Sequence, residues 1–230
     1  MSTDALPARP TVTLKLATSL DGRIALASGE SKWITGAEAR LEVHRLRAAH
    51  DAVIVGSETV LADDPELTAR LDPMPDKQPL RIVADGRGRL SPDAKIFRTV
   101  SLGPVAIATL ETTDLDALGW PSARGLQYWM TPPDLATGHL AITAILEAAT
   151  RARVTSMMVE GGGQLAASFM RAGVIDRIEW FRAPILLGGD ARPCLGGLGL
   201  DKLASAPTYQ RVSVKEVGAD LWESYARKGN

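Results

Sequence analysis

The sequence predicts an α/β fold with a mainly parallel central sheet, flanking helices and an antiparallel hairpin near the C-terminus. Short runs of β-branched and apolar residues alternate with segments of helical spacing, which is typical of a parallel sheet covered by helices. The last two predicted strands instead follow each other across the short turn Gly218-Ala219-Asp220. With 230 residues, 45% of them hydrophobic, the chain can build one large core. We therefore expect a single domain over residues 11–228, after a loose tail at residues 1–10.

The first predicted strand, Thr11–Ala17, alternates strictly between apolar and polar residues. Val12 and Leu14 fall on one face, whereas Thr13 and Lys15 fall on the other. If the strand is central, Lys15 points to a buried or cleft-facing side, where its ammonium needs a partner. On an edge strand it would be an ordinary surface lysine, and the pattern alone leaves both placements open.

The first helix is predicted from its N-terminal signal. Thr35-x-x-Glu38 forms a capping box, and the pattern behind it predicts a helix that continues to about Ala49. His44 falls on the apolar face of this helix, so we expect a packed core histidine there and not a metal ligand.

Strands and helices then alternate along the chain. Ser57 is predicted to cap a helical turn through Leu61, and Pro65 ends it, because proline disfavours helix at the residue before it. The predicted strands are Ala52–Gly56, Leu80–Ala84, Val105–Ala108, Leu126–Met130, Val154–Val159, Ile175–Phe181, Tyr209–Val217 and Leu221–Tyr225, and a further helix is predicted over Leu140–Arg153.

A glycine turn follows the strand that ends at Glu160. Gly161–Gly163 lead into a helix that begins at Gln164 and ends at Gly173. Backbone amides of such a turn can approach an anion closely, and the following helix adds positive potential. The spacing up to Ala166 fits G-x-G-x-x-G/A, although a close-packed turn without a ligand fits it too. Glu160 favours a ligand site, because α/β sheets bind ligands at the carboxyl ends of their strands.

Composition and missing motifs exclude several classes of protein. The chain has 26 Lys and Arg against 27 Asp and Glu, which argues against nucleic acid or an anionic membrane as the main partner. One cysteine, Cys194, and three scattered histidines give no support for a disulfide or a metal site. There is no phosphate-loop lysine motif and no apolar signal or membrane segment, so we expect a cytoplasmic protein.

Several segments, in order and in register, resemble the pyrimidine reductases of riboflavin biosynthesis, a family with a dihydrofolate-reductase-like fold. They are Leu14-Lys15-Leu16-Ala17-x-Ser19-Leu20-Asp21-Gly22-Arg23, Ser28-Gly29-Glu30-Ser31-x-Trp33-Ile34-Thr35, Gly56-Ser57-x-Thr59-Val60-Leu61-Ala62-Asp63-Asp64-Pro65-x-Leu67-Thr68, Arg81-Ile82-Val83-x-Asp85, Val159-Glu160-Gly161-Gly162 and Ala183-Pro184-x-Leu186-Leu187-Gly188. The resemblance covers the chain from about Thr11 to Tyr225.

The resemblance implies an NADPH-dependent oxidoreductase. Its expected reaction is reduction of the ribose of 5-amino-6-(5-phosphoribosylamino)uracil to the ribitylamino product. It further implies that Gly162 to Ser168 hold the cofactor pyrophosphate, and that Ala17 and Trp33 line the nicotinamide side. The implied cofactor-binding residues are Ala17, Trp33, Thr59, Asp63, Gly161, Gly162, Gly163, Gln164, Leu165, Ala166 and Ser168. The implied substrate-binding residues are Ser31, Arg47, Leu67, Arg70 and Glu160.

Elementary chemistry agrees with these assignments. A ribosylamine must open to an imine before hydride can add, so the site needs a group that stabilises a protonated nitrogen and one that orients ribose hydroxyls. Lys15 and Glu160 carry opposite charges and can supply these two groups, so we expect them to be the catalytic residues. Arginine binds phosphate through two parallel bonds, which suits Arg47 and Arg70 as a phosphate anchor.

Three alternatives stay open beside this interpretation. One is a reductase of the same fold that acts on dihydrofolate or another pterin or pyrimidine-type substrate. Another is a non-catalytic nucleotide-binding module. A Rossmann dehydrogenase is disfavoured, because it would place its glycine turn after the first strand.

In many bacteria a zinc deaminase precedes this reductase, and its H-x-E and C-x-x-C segments are absent here. We therefore expect the reductive step alone, a separate deaminase upstream, and a homodimer by family resemblance.

Overall fold

The computed structural model describes residues 9–228, and these form two compact units. The first comprises residues 9–11 and 46–157, and the second comprises residues 12–45 and 158–228. Residues 1–8 of the predicted tail lie outside the described residues. The single domain expected over residues 11–228 stays a prediction. Within residues 9–228, no helix is long and apolar enough to cross a bilayer.

Eleven strands and six α-helices make up the described chain. The strands are β1 (Thr11–Thr18), β2 (Arg23–Ala25), β3 (Ala52–Gly56), β4 (Leu80–Ala84), β5 (Val105–Leu110), β6 (Leu126–Thr131), β7 (Ser156–Val159), β8 (Arg177–Arg182), β9 (Arg192–Pro193), β10 (Tyr209–Val217) and β11 (Asp220–Arg227). The helices are α1 (Ala37–Ala49), α2 (Ser57–Asp63), α3 (Lys95–Arg98), α4 (Leu115–Leu118), α5 (Ile142–Arg151) and α6 (Gly163–Arg171), with short 3₁₀ turns at Val100–Leu102 and Leu203–Ser205.

The first unit contains a parallel ladder of β3, β4, β5 and β6, in that order. Val55 pairs with Val83, which pairs in turn with Ile107, and all three side chains are buried. The same core contains Phe97 and Trp120, and Trp120 donates its indole N–H to the Leu90 carbonyl at 2.9 Å. Burial of strands on both faces explains why they read as continuous apolar runs.

The second unit contains the order β10, β11, β8 and β1. The β1 and β8 strands are parallel, whereas β8, β11 and β10 are antiparallel. Phe181 of β8 stacks on Trp222 of β11 with ring centroids 5.2 Å apart. A separate two-stranded ribbon joins β2 and β9. The predicted combination of mainly parallel strands with a C-terminal antiparallel hairpin is confirmed. The chain passes from one unit to the other at three places, within β1, within α1 and within β7.

The predicted elements are confirmed with shifted ends, and α1 shows the largest difference in detail. It begins at Ala37, one residue later than the capping box predicts, and the Gly36 amide donates to the Asp220 carboxylate at 2.7 Å. A distant carboxylate therefore satisfies an amide at this helix end. The prediction of a core histidine is wrong, because His44 is half-buried while Ala39 and Val43 face the interior.

The short helix α2 also differs from its prediction. Ser57 is its first helical residue and makes no capping bond, because Gly56 occupies the N-cap position. The helix continues to Asp63, and Asp64 then leaves it with φ 39°. The elements β2, β9, α3 and α4 were not predicted, because each has only two to four residues and therefore carries no hydrophobic period.

The Asp220 contact gives a testable consequence for stability. Asp220 is 3% exposed, and its removal takes away the hydrogen-bond partner of the Gly36 amide. Asp220→Ala should lower the free energy of unfolding by about 1–2 kcal/mol, measured by urea denaturation. Asp220→Asn keeps an oxygen acceptor and should lose less than half as much. Equal losses in the two variants would contradict the capping role.

Candidate functional site

The glycine turn lies where the sequence predicts it, between β7 and α6. Gly161 has φ 101°, a conformation that favours glycine, and Gly162 is the N-cap of α6. No side chain caps this helix. The first backbone amides of α6 are therefore available for an anion, and the helix dipole favours negative charge there.

The two glycines at the start of α6 have different surroundings. A Cβ on Gly162 would meet no atom within 4 Å, so an approaching ligand has room at this position. A Cβ on Gly163 would come within 2.6 Å of the Pro193 carbonyl oxygen. The Gly196 amide also donates to the Gly163 carbonyl at 2.9 Å. Gly163 thus serves close packing against the segment after β9, whereas Gly162 stays open.

Lys15 and Glu160 form an ion pair. Lys15 lies on β1 with its side chain 14% exposed, and Glu160 follows β7 with its side chain 7% exposed. The Lys15 ammonium and a Glu160 carboxylate oxygen are 3.8 Å apart. Of the two placements that the sequence left open for Lys15, the structure shows the partnered and largely buried one. Glu160 directly precedes the glycine turn in the chain, since Gly161 follows it.

Three other predicted residues of the second unit lie near the start of the chain. Ala17 is half-buried on β1, and Ser31 is half-buried in the segment before α1. The Trp33 side chain is exposed, at 69%, and the Arg40 guanidinium lies 4.4 Å from its ring centroid. Arg40 also donates to the Thr35 carbonyl at 2.7 Å. Arg40 was not among the predicted site residues, because a cation over an aromatic ring leaves no sequence pattern.

Not all predicted residues of α6 lie near its open end. Gln164 and Leu165 belong to the first turn, where the amides are uncapped. Ala166 is 1% exposed, so its side chain packs inward. The Ser168 hydroxyl donates to the Gln164 carbonyl and accepts from Arg171, both at 3.0 Å. The arrangement therefore favours Gly161–Leu165 over the second turn as the anion cradle.

In the first unit, Thr59 and Asp63 lie one turn apart on α2. This spacing of four residues places them on the same helix face. Thr59 is half-buried and Asp63 is exposed. They can therefore contact one ligand, as the resemblance implies.

The predicted phosphate arginines are connected through one segment of the first unit. Arg47 donates to the Thr68 carbonyl at 3.1 Å, and Arg70 follows two residues later. The Arg70 side chain is 56% exposed and lies 3.7 Å from the Glu66 carboxylate. Leu67, expected to contact substrate, has φ 59° and is 2% exposed, so its side chain belongs to the core.

A cavity of about 690 Å³ opens beside this segment in the first unit. Arg70, Lys77 and Arg124 bring positive charge to its lining, and Glu66 and Asp76 bring negative charge. The lining is therefore mixed in sign and does not by itself indicate an anion site.

The comparisons with known proteins identify the family. The family model described as the RibD C-terminal domain matches residues 10–222. The chain belongs to the RibD C-terminal domain family. The riboflavin biosynthesis protein RibD of Escherichia coli (strain K12) is 37% identical over 223 residues, which cover 92% of this chain and 58% of that protein. The family assignment confirms the resemblance drawn from the motifs.

Two solved structures of this family align along almost the whole chain. Acinetobacter baumannii RibD aligns with a TM-score of 0.80 and 30% identity, covering 96% of this chain and 58% of that one. A deaminase and 5-amino-6-(5-phosphoribosylamino)uracil reductase from Thermotoga maritima aligns with a TM-score of 0.77 and 28% identity, covering 96% and 57%. The chain thus spans just under three fifths of the length of these relatives.

A more distant structure tests the fold alone. A dihydrofolate reductase from Enterococcus faecalis aligns over 95% of this chain and 97% of its own length, with a TM-score of 0.51 and 14% identity. The predicted dihydrofolate-reductase-like fold is confirmed.

The turn after β1 is tied to a second loop by Asp21. Its carboxylate accepts from the Ser19 hydroxyl at 2.6 Å and from the amides of Leu187 and Gly188 at 3.1 and 2.8 Å. The bond from Ser19, followed by those amides, lowers the pKa of Asp21 from 3.8 to about 2. The ionised carboxylate therefore holds the loop around Gly188 against the turn.

The two glycines of the turn form a matched pair for a first test. Gly163→Ala should lower the free energy of unfolding by about 1–3 kcal/mol, because the new Cβ must displace the Pro193 carbonyl. Gly162→Ala should change it by less than about 0.5 kcal/mol, since the new Cβ enters open space at φ −63°. Urea denaturation checks both. Equal losses would contradict the different surroundings of these glycines.

The Asp21 contacts predict a pH dependence of stability. Because the pKa is lower in the folded chain, the stabilisation is complete above the unfolded pKa of 3.8 and disappears as the pH falls towards about 2. The difference in melting temperature between the wild type and Asp21→Asn should therefore be constant near neutral pH and should vanish at the acid end. The exposed Asp201→Asn serves as the control, with no such difference. A gap that persists unchanged at pH 2 would contradict the assignment.

Proposed function

We propose that this chain is an NADPH-dependent reductase of riboflavin biosynthesis. Its substrate is 5-amino-6-(5-phosphoribosylamino)uracil, and its product is the ribitylamino compound. The observation that carries the proposal is the Lys15–Glu160 ion pair at low exposure, whose Glu160 directly precedes a glycine turn with uncapped helix amides. The printed name of the Thermotoga maritima relative includes this reductase activity.

The glycine turn fits the pyrophosphate of a dinucleotide. Space is open at Gly162, and the first amides of α6 have no side-chain cap. We assign the cofactor to Gly161, Gly162, Gly163, Gln164 and Leu165. Other parts of the cofactor are assigned to Thr59 and Asp63 on α2, and the nicotinamide side to Ala17 and the exposed Trp33. Ala166 and Ser168 complete the second turn of the same helix.

The reaction requires one charged group beside the nitrogen on C1′ and another beside the ribose oxygen. Opening of the ribosylamine breaks the bond between C1′ and O4′ while a proton moves from the nitrogen to O4′. Reduction then adds one hydride to C1′ and one proton to the nitrogen, and the nicotinamide supplies this hydride when bound. The Glu160 carboxylate stabilises the protonated nitrogen, and the Lys15 ammonium orients the ribose oxygen and shares its proton. Low exposure strengthens both interactions, because little water screens the charges.

The distal phosphate is assigned to arginines. Arg47 and Arg70 can each present two parallel N–H groups to a phosphate, which a lysine cannot do. Ser31 supplies a hydroxyl donor to the same group. Leu67 acts through the backbone, because its side chain is buried.

The other expectations stay proposals beside this one. A homodimer is proposed from the family resemblance, and a cytoplasmic location is proposed from the composition. Reduction of dihydrofolate or another pterin is the alternative activity. The arginines favour the phosphorylated pyrimidine over it, since a pterin carries no phosphate. The ion pair argues against a non-catalytic module, because burial of two charges without a task is costly.

The test is NADPH oxidation followed by absorbance. The substrate is made in situ by a separate deaminase, and NADH and dihydrofolate are run in parallel. Rapid oxidation that depends on the pyrimidine and prefers NADPH supports the proposal. Turnover of dihydrofolate alone would move the assignment to the pterin reductase, and NADPH binding without any turnover would favour the module.

Variants of the ion pair test the assigned roles. Lys15→Met and Glu160→Gln should each lower kcat by about 10²–10⁴-fold, because each removes one charge from the reacting centre. The KM for NADPH should stay within about threefold, since neither residue is assigned to the cofactor. The exposed Lys202→Met and Glu216→Gln are the matched controls and should keep wild-type kcat. Turnover within a few-fold of wild type in both ion-pair variants would leave these residues a positional role at most.

A further inference from the structure

Arg81 is a buried cation for which the proposed reaction has no use. It lies on β4 between β3 and β5, opposite Val53 and Val105, and is 0% exposed. Burial lowers the pKa of its guanidinium from the usual value to about 10, while the charge of Glu66 acts in the opposite direction. The group therefore remains protonated at neutral pH. A buried charge of this kind must be matched by polar groups around it.

Those polar groups are carbonyl oxygens and one hydroxyl from two separate stretches of the chain. One terminal nitrogen of Arg81 donates to the Glu66 carbonyl at 3.0 Å and to the Thr99 hydroxyl at 2.9 Å. The other terminal nitrogen donates to the Thr99 carbonyl at 2.7 Å and to the Gly103 carbonyl. The guanidinium thus connects the segment after α2 to both ends of the 3₁₀ turn that precedes β5.

The segment Glu66–Arg70 is held at each of its first four residues. Arg81 binds the Glu66 carbonyl, and Leu67 is anchored in the core with a left-handed backbone. Thr68 offers its carbonyl to Arg47 at 3.1 Å. Ala69 exchanges two bonds with the Gln78 side chain, at 2.7 and 3.0 Å.

We propose that Arg81 is a positioning residue for the phosphate-binding arginines: its buried guanidinium fixes Glu66, and this sets the segment from which Arg70 projects and to which Arg47 is bonded. The inference rests on the proposed function, since it takes these two arginines as the anchor of the substrate phosphate. Arg81 itself does not touch the substrate.

The choice of arginine follows from geometry. A guanidinium presents its donors in a rigid plane and can reach acceptors on two sides at once. A lysine ammonium at the same position keeps the charge but is compact, so it cannot span from Glu66 to Gly103. Without the guanidinium, the half-buried carbonyl oxygens of Glu66, Thr99 and Gly103 lose this donor, and the segment Glu66–Arg70 is free to shift.

Displacement of the segment has a specific consequence for binding. An arginine anchor held in place before the ligand arrives contributes more affinity than a mobile one, because less side-chain freedom is lost on binding. A displacement of about 1 Å can cost about 10²-fold in rate when it moves the reacting atoms. The loss should therefore appear with a phosphorylated substrate and should be absent with its dephosphorylated analogue.

The experiment compares the two substrates in Arg81→Lys and in a matched control. In Arg81→Lys, kcat/KM for the phosphorylated substrate should fall at least tenfold, with kcat/KM for the dephosphorylated analogue and KM for NADPH within threefold of wild type. Thr99→Val removes another bond of the same guanidinium but leaves the bond to Glu66. It should lower the melting temperature and keep the wild-type preference for phosphate. Equal losses on both substrates in Arg81→Lys would overturn the proposal.

Double substitution tests whether Arg81 acts through Arg70. If it does, Arg70→Ala should cause little further loss in the Arg81→Lys background, although it lowers kcat/KM strongly in the wild type. Fully additive losses would overturn the proposal.

One further readout is independent of the assumed activity, and another is independent of whether Arg81→Lys folds. Amide hydrogen exchange reports on the segment even if the wild type reduces no pyrimidine: the Ala69 amide should exchange at least tenfold faster in Arg81→Lys, with the Ile107 amide of β5 little changed. Unchanged protection of Ala69 would overturn the positioning role alone. If Arg81→Lys does not fold, Gln78→Ala decides. The phosphate preference persists in that variant if Arg81 holds the segment, and it collapses if Gln78 does.

Discussion

The close contact between Gly163 and the Pro193 carbonyl oxygen determines where the glycine turn lies. Any side chain at position 163 would bring a Cβ within 2.6 Å of that oxygen, so the backbone of the two segments can meet only with glycine there. The Gly196 amide adds a hydrogen bond between the same two segments by donating to the Gly163 carbonyl. The first amides of α6, and Glu160 just before them, take their position from this contact.

The segment that contacts Gly163 is itself held from the other end of the sequence. Pro193 pairs with Arg23 in the β2–β9 ribbon, and the Cys194 amide donates to the Gly22 carbonyl at 3.0 Å. The turn after β1 is thus bonded to the segment that supports the turn after β7. Lys15 precedes one turn and Glu160 precedes the other, so the ion pair between them is supported by the backbone as well as by charge. Such support matters because an ion pair at low exposure gains little net stability by its own attraction.

Local pattern predicted the strands well and tertiary contacts poorly. The apolar runs of β3 to β6 and the alternation in β1 were sufficient to locate these strands, because burial on one or both faces leaves a period in the sequence. The predicted start of α1 was one residue too early. The amide at this end belongs to Gly36 and is bonded to Asp220, 184 residues away in the sequence. The β2–β9 ribbon was not predicted either, because it too depends on a contact between distant residues. Its strands have two or three residues each, and only their pairing across the chain defines them.

The same difference between local pattern and tertiary contacts applies to the candidate site. Glu160 and the glycine turn were predicted from consecutive residues, and the structure places them together. Lys15 could be placed only conditionally, because its partner depends on which strands are neighbours. Leu67 lies within a family motif and was expected to contact the substrate; its side chain belongs to the core, so the contact stays a prediction for its backbone alone. Membership in a motif therefore does not separate residues that touch a ligand from residues that shape the backbone beside it.

Two buried or nearly buried cations illustrate how that distinction can be made from contacts. Lys15 faces a carboxylate, so each partner of the pair is an ionisable group whose charge a substrate can exploit. Arg81 faces carbonyl oxygens and a hydroxyl, none of which titrates, and its fork geometry matches acceptors on separate loops. A compact ammonium beside a carboxylate is suited to moving or orienting a proton, whereas a fully buried guanidinium among carbonyls is suited to holding backbone. The partners of a buried cation thus indicate its role more directly than its burial does.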